Sequence, residues 1–331
     1  MTRFKISIVP AVSLFFVAPL VAEFLLGNLS LKLLPALIVL APMYGGAALL
    51  IRELTRGVKR GWPSILLLGA AYTLIEEGFV TQSLFNPDYL RMQMHLLDHA
   101  WIPALGIGAW WTLFMFNVHI FWSIAGSIAL VEAAVPARTT TPWLGALGKS
   151  VVALLFIAGL AANVRFTVTH DHFLASPAQF GGAGLLCLLL IACAFLLPRQ
   201  SPRAVGSVPM PWLSGFVALV LGVAVLLTPN GWNWGAVVAL LVIDGLFLTF
   251  VFVLSRRSQW TPLHTLSLAA GGALAYGIHA FWETPVAGGN GALARVGNAV
   301  FLAAAVALIC AGVIRTSSFT KRDATTLAPQ I

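Results

Sequence analysis

The chain has 331 residues, 59% hydrophobic and only 9% charged, where soluble domains carry about 25% charged residues. That balance excludes a soluble globular protein, a disordered chain, a coiled coil and a nucleic-acid-binding module, and three cysteines without a CxxC pair exclude a disulfide scaffold or zinc ribbon. An all-α polytopic membrane protein remains, and its net charge of +8 then reflects Lys and Arg kept in cytoplasmic loops.

A membrane helix needs roughly 20 mainly apolar residues. Windows of that length predict ten spans: 7–26, 31–51, 63–82, 103–132, 150–167, 180–197, 212–230, 235–254, 263–282 and 295–315. They form one domain, 1–315, followed by a short polar tail, 316–331. MTRFK before an apolar run has the look of a signal peptide, but Glu23 interrupts its end and no small-x-small site follows, so a retained first helix is expected. With the amino terminus cytoplasmic, 15 of the 19 Lys and Arg fall in cytoplasmic segments, among them Arg3, Lys5, Arg52, Arg56 and Arg199. Only Lys32, Arg91, Arg165 and Arg295 fall outside, so both termini are expected inside a cytoplasmic (inner) membrane. Trp62, Trp101, Trp143, Trp212, Trp232, Trp234, Trp260 and Trp282 stand at span ends as interfacial anchors. Cys187, Cys193 and Cys310 lie in apolar runs and are expected to pack there.

An ionisable side chain in hydrocarbon costs at least about 2.5–3.5 kcal/mol, so each one inside a span is a candidate for function. Glu23, Glu76, Glu77, His279 and Glu283 fall in the outer part of their spans and His119 near the middle of the fourth. Asp244 is expected to be structural, and Glu132 and His264 to lie at the cytoplasmic interface. Glu76 and Glu77 are the strongest feature. Adjacent residues on a helix diverge by about 100°, so the two carboxylates are expected to serve different neighbours, Glu76 with Tyr72 and Glu77 with Thr73 and Thr81. Two carboxylates that close in low dielectric cannot both ionise cheaply, which suits a general base or a proton carrier. Thr112, Phe116, His119, Ser123 and Ser127 share a helical stripe, and a Glu77 to His119 pairing across the third and fourth spans is expected. Glu23, His279 and Glu283 would line a substrate or proton path.

Helices here can approach closely or break. Ala269, Ala273 and Gly277 form a small-residue stripe, while Pro19 before Glu23 and Pro42 before Gly45 and Gly46 can interrupt their helices and free carbonyls. HLLDH sets His95 and His99 four apart, a spacing that on a helix can hold one external divalent metal, with Asp98, His170 and His172 to complete it. The plainer expectation is a solvated loop and no cofactor.

The Glu76-Glu77 pair followed by a membrane histidine in the next helix resembles the CAAX-protease and bacteriocin-processing family of intramembrane enzymes. The resemblance implies a glutamate-dependent hydrolytic site in which Glu76 activates water and His119 assists, with His279-Ala-Phe-Trp-Glu283 nearest to the family's His-x-x-x-Asn element. LAPMYGGAALLIRELTR and LIEEGFVTQSLFNPDY also resemble uncharacterised multi-pass bacterial membrane proteins. Three functions follow: a hydrolase acting on a lipid or peptide, a proton-coupled transporter of a small molecule, and a non-catalytic scaffold or subunit whose polar residues serve helix packing. Membrane lipids are the expected partners, and no nucleic acid is.

Overall fold

The structure is a computed structural model describing residues 8–197 and 203–327; Arg3, Lys5, Arg199 and the last four residues lie outside them. The described residues form ten helices: α1 (Val9–Leu25), α2 (Leu31–Gly57), α3 (Trp62–Val80), α4 (Ala109–Ala134), α5 (Ala146–Asp171), α6 (Pro177–Leu196), α7 (Pro211–Leu226), α8 (Trp234–Ser255), α9 (Pro262–His279) and α10 (Ala292–Leu327). Seven of them, α2 to α6, α8 and α10, are long and apolar enough to cross a membrane, and α1 and α7 are shorter apolar helices. Each expected span has its helix, with boundaries moved by local chemistry. Proline at the first turn starts α3, α6, α7 and α9, where the missing N–H would have no partner anyway. At α6 the Ser176 hydroxyl also accepts from Gln179 N while the Gln179 side chain accepts from Ser176 N.

Three boundaries differ by six residues or more. The fourth helix begins at Ala109 rather than 103, because Trp101–Ile102 and Ile107–Gly108 pair as a small antiparallel hairpin turned by Gly106 at φ +65°. The second helix runs on to Gly57, since Arg52, Glu53 and Arg56 are buried with their charges paired, Arg52 to Glu53 and Arg56 to Glu132. Residues expected as a tail continue α10 through Leu327.

The helix-connecting loops interlock at two ends. At one, Arg60 bonds the carbonyls of Phe195 and Leu197, Arg52 those of Arg138 and Thr139, and Arg315 that of Ala134. At the other, Val286 N bonds Asn28 O, Asn86 bonds Asp171, and Ala100 N bonds Asn233 Oδ1. The first is the basic end.

Burial separates a centre from a rim. In the apolar window of α3, 72% of residues are buried, against 11% in α8. Leu154, Leu188, Leu241 and Ile314 stand exposed on α5, α6, α8 and α10, as apolar side chains do toward lipid. Cys193 and Cys310 face out with them instead of packing inside; Cys187 alone is buried, its thiol toward Ala71 O. Trp143 and Trp260 are also buried rather than interfacial.

Close approach among the central helices depends on glycine. A Cβ on Gly45 would lie 1.8 Å from Phe15 O, and one on Gly271 2.1 Å from Gly215 O, so α1 meets α2 and α7 meets α9 nearly backbone to backbone. Within α9 the tightest contact is therefore at Gly271, two residues from Ala269 and from Ala273 and so on the opposite face from the Ala269, Ala273 and Gly277 stripe. Gly45→Ala and Gly271→Ala are each expected to lower stability in detergent by about 1–3 kcal/mol or more. Gly245→Ala, where nothing lies within 4 Å, should leave it within about 0.5 kcal/mol. Thermal unfolding of the three variants checks this.

Candidate functional site

Among the described residues four stretches wind as π-helix: Leu20–Leu25 in α1, Ala41–Gly45 in α2, Leu74–Val80 in α3 and Val118–Gly126 in α4. Pro19 and Pro42 explain two of them, because a proline cannot donate its helical hydrogen bond and the ladder slips by one residue. Neither helix breaks. Each stretch delivers one part of a single cluster: Glu23, Tyr44, Glu76 with Glu77, and His119.

His119 is its hub. Its Nε2 lies 2.8 Å from Glu77 Oε1, the contact expected from sequence, and its Nδ1 lies 3.3 Å from Glu76 Oε2. The two carboxylates thus converge on one imidazole instead of diverging, while Glu77 keeps its expected neighbour Thr81. A π turn holds more residues than an α turn, so adjacent side chains diverge less, and an imidazole has a nitrogen on each side to meet both. All three residues are buried. Tyr44 stacks on the His119 ring at 6.0 Å and 23°, and Tyr72 meets it edge-on at 6.0 Å and 83°.

Glu77 is fully used. Its Oε1 faces His119, and its Oε2 accepts from Thr81 Oγ1 at 2.8 Å and from Ser83 Oγ, which in turn accepts from Trp111 Nε1. Glu76 is not: its Oε2, His119 Nδ1 and the Tyr72 hydroxyl are buried without a hydrogen-bond partner among the described residues. Glu23 accepts from Tyr44 Oη at 2.6 Å and from Asn28 Nδ2 at 2.5 Å. The loop after α3 closes over this end. Burial, then the negative charges of Glu77, Glu23 and Glu76, hold the Tyr89 phenol well above its ordinary pKa.

The other expected site residues lie apart. His279 Nδ1 is 3.6 Å from Glu283 at the end of α9, beside a cleft of about 290 Å³ lined also by Asn290, Arg295 and Asn298. That cleft is tied to the cluster in steps: Val286 N bonds Asn28 O, Asn28 bonds Glu23, Glu23 bonds Tyr44, and Tyr44 stacks on His119. His95 pairs with Asp98 on an exposed turn, not a helix, His99 packs against Trp110, His170 pairs with Asp171, and His172 is exposed at the left-handed end of α5. These four histidines are not gathered. Among the described residues, the metal-capable group of three is Glu76, Glu77 and His119, with one ligand atom from each lying within 4.8 Å of the others. Asp244 accepts from Asn117 Nδ2 at 3.0 Å.

A second charged cluster sits 13 residues along α4 from His119, about 20 Å away. Glu132 accepts from Arg52 Nε at 3.1 Å and from Arg56 Nε and Nη2 at 2.9 and 2.8 Å, and Arg52 Nη1 lies 2.6 Å from Glu53 Oε1. Glu53 also receives Trp143 N and Leu144 N, and the Arg52 guanidinium lies 3.6 Å from the Trp143 ring centre. Glu132 is therefore a buried counter-ion rather than a solvated side chain; His264 is likewise buried, capping α9 and reaching Pro209 O. Sequence reading missed this network because its arginines pass as loop cations. The signal was Arg-Glu at 52–53 in helical register with a membrane-flanking Trp.

A sequence model of an uncharacterized membrane protein family matches residues 12–326. The chain belongs to that family. No curated protein and no solved structure matches it, and nothing in these comparisons ties it to the CAAX-protease and bacteriocin-processing enzymes.

Because Glu132 compensates two buried arginines, Glu132→Ala should cost about 3–5 kcal/mol of stability, read as a large fall in the detergent unfolding temperature.

Proposed function

We propose that this family member is a membrane-embedded hydrolase that uses Glu76, Glu77 and His119 on a lipid or peptide substrate. The observation that carries this reading is the division of labour within the cluster. Glu77, saturated by His119, Thr81 and Ser83, fixes the imidazole, while Glu76 Oε2 and the Tyr72 hydroxyl stand beside it with hydrogen-bonding capacity unspent. A water held there loses its proton to Glu76, beside the His119 ring, as its oxygen bonds the scissile carbon or phosphorus. The departing group then takes that proton. Packing alone needs no such surplus.

The 15 to 4 division of cations supports an inner-membrane protein with cytoplasmic termini, which puts the cluster in the outer half of the bilayer. Glu23, His279 and Glu283 then lie on the substrate's approach from the outer cleft.

The test uses full-length protein in liposomes supplied with a lipid extract and a peptide library. Mass spectrometry should find products that have gained one water, and Glu76→Gln and Glu77→Gln should slow their formation about 10²–10⁴-fold. Unimpaired turnover in both variants, or proton-driven uptake of unaltered substrate, would overturn the reading.

A further inference from the structure

We propose that the cluster binds one divalent transition-metal ion of the zinc or manganese class, with His119 Nδ1 and Glu76 Oε2 as protein ligands and Glu77 orienting the histidine. The inference deepens the hydrolase reading and rests on the same site. It starts from the two nitrogens of one ring. Glu77 Oε1 receives the Nε2 proton at 2.8 Å, and an imidazole that donates through Nε2 presents a bare lone pair at Nδ1. That lone pair faces Glu76 Oε2, and neither atom has a hydrogen-bond partner among the described residues.

The separation is nearer to that of two ligands on one ion than to that of a closed hydrogen bond. A charge-assisted N–H···O bond closes to about 2.7–2.9 Å. Two ligand atoms about 2.1 Å from a tetrahedral ion stand about 3.4 Å apart. The observed distance is 3.3 Å. A carboxylate behind a metal-ligating histidine, receiving its other N–H, is the usual way such a ligand is held in its tautomer and orientation. Glu77 has that position, and its remaining oxygen is held by Thr81 and Ser83.

Charge points the same way. Two adjacent carboxylates are buried here, and among the described residues they lie within ion-pair distance of His119 alone, a ring that is neutral in this tautomer, and of no lysine or arginine. A dication neutralises both. An imidazole nitrogen with carboxylate oxygen suits zinc or manganese better than the all-oxygen sets of calcium. Tyr72 Oη, buried and unpartnered beside the ring, is placed to hold one of the waters that fill the remaining positions.

Full-length protein purified without chelator and assayed by elemental mass spectrometry should carry one such ion per chain. After stripping, titration with Zn²⁺ and with Mn²⁺ should restore one site per chain. Glu76→Gln and His119→Gln should lose the site, Glu77→Gln should bind 10–100-fold more weakly, and His95→Gln should be unchanged. Wild-type protein that holds no ion before or after titration would overturn the proposal, as would undiminished binding by His119→Gln. If that ion-free protein still adds water to substrate in a Glu76-dependent way, the hydrolase reading survives; if the ion binds and no product forms, the hydrolase reading fails alone.

Discussion

Glu76, His119 and Glu77 meet where a charge is most expensive, and the geometry of the four central helices follows from bringing them together. A carboxylate in hydrocarbon must find a partner inside the protein, since no water or headgroup is within reach. One imidazole partners two carboxylates, and two tyrosines hold its ring. The helices that carry them are the most buried, while lipid-facing α5, α6, α8 and α10 shield them with leucine and isoleucine.

The molecule solves the same problem twice, in opposite ways. Around Glu132 both of its oxygens are spent on Arg52 and Arg56, Glu53 is spent on Arg52 and two backbone amides, and Trp143 covers the guanidinium. That is a finished network, and finished networks rigidify. Around Glu76 the network stops short: a carboxylate oxygen, a ring nitrogen and a hydroxyl stay buried with no partner. Such incompleteness costs stability, and proteins keep it where chemistry or binding recovers the cost. The four π turns agree, since unusual helix windings gather at functional sites.

The apolar windows made the ten helices legible, and the scarcity of charge singled out Glu23, Glu76, Glu77 and His119. What sequence hid was geometric. An α-helical wheel separates Glu76 from Glu77 by about 100°, so their convergence on one ring needed the π turn. Tyr72 was legible as a neighbour of Glu76 one turn away, whereas Tyr44 carried no signal because tyrosine in a membrane span reads as ordinary packing. Arg52 and Arg56 looked like loop cations because periodicity cannot tell that a helix continues past its apolar stretch when its charges pair inward. His95 and His99 misled in the other direction: a four-residue spacing gathers ligands only on a helix, and that segment is a turn.

The claim that Glu76 is kept for function rather than for folding is read most directly from the unfolding temperature of Glu76→Gln beside wild type, in detergent with chelator present. The isosteric amide removes one of two crowded charges and breaks no hydrogen bond that Glu76 Oε2 makes. The account predicts an unchanged or higher unfolding temperature. A fall equivalent to about 3–5 kcal/mol, as expected when a structural buried ion pair loses one partner, would contradict it.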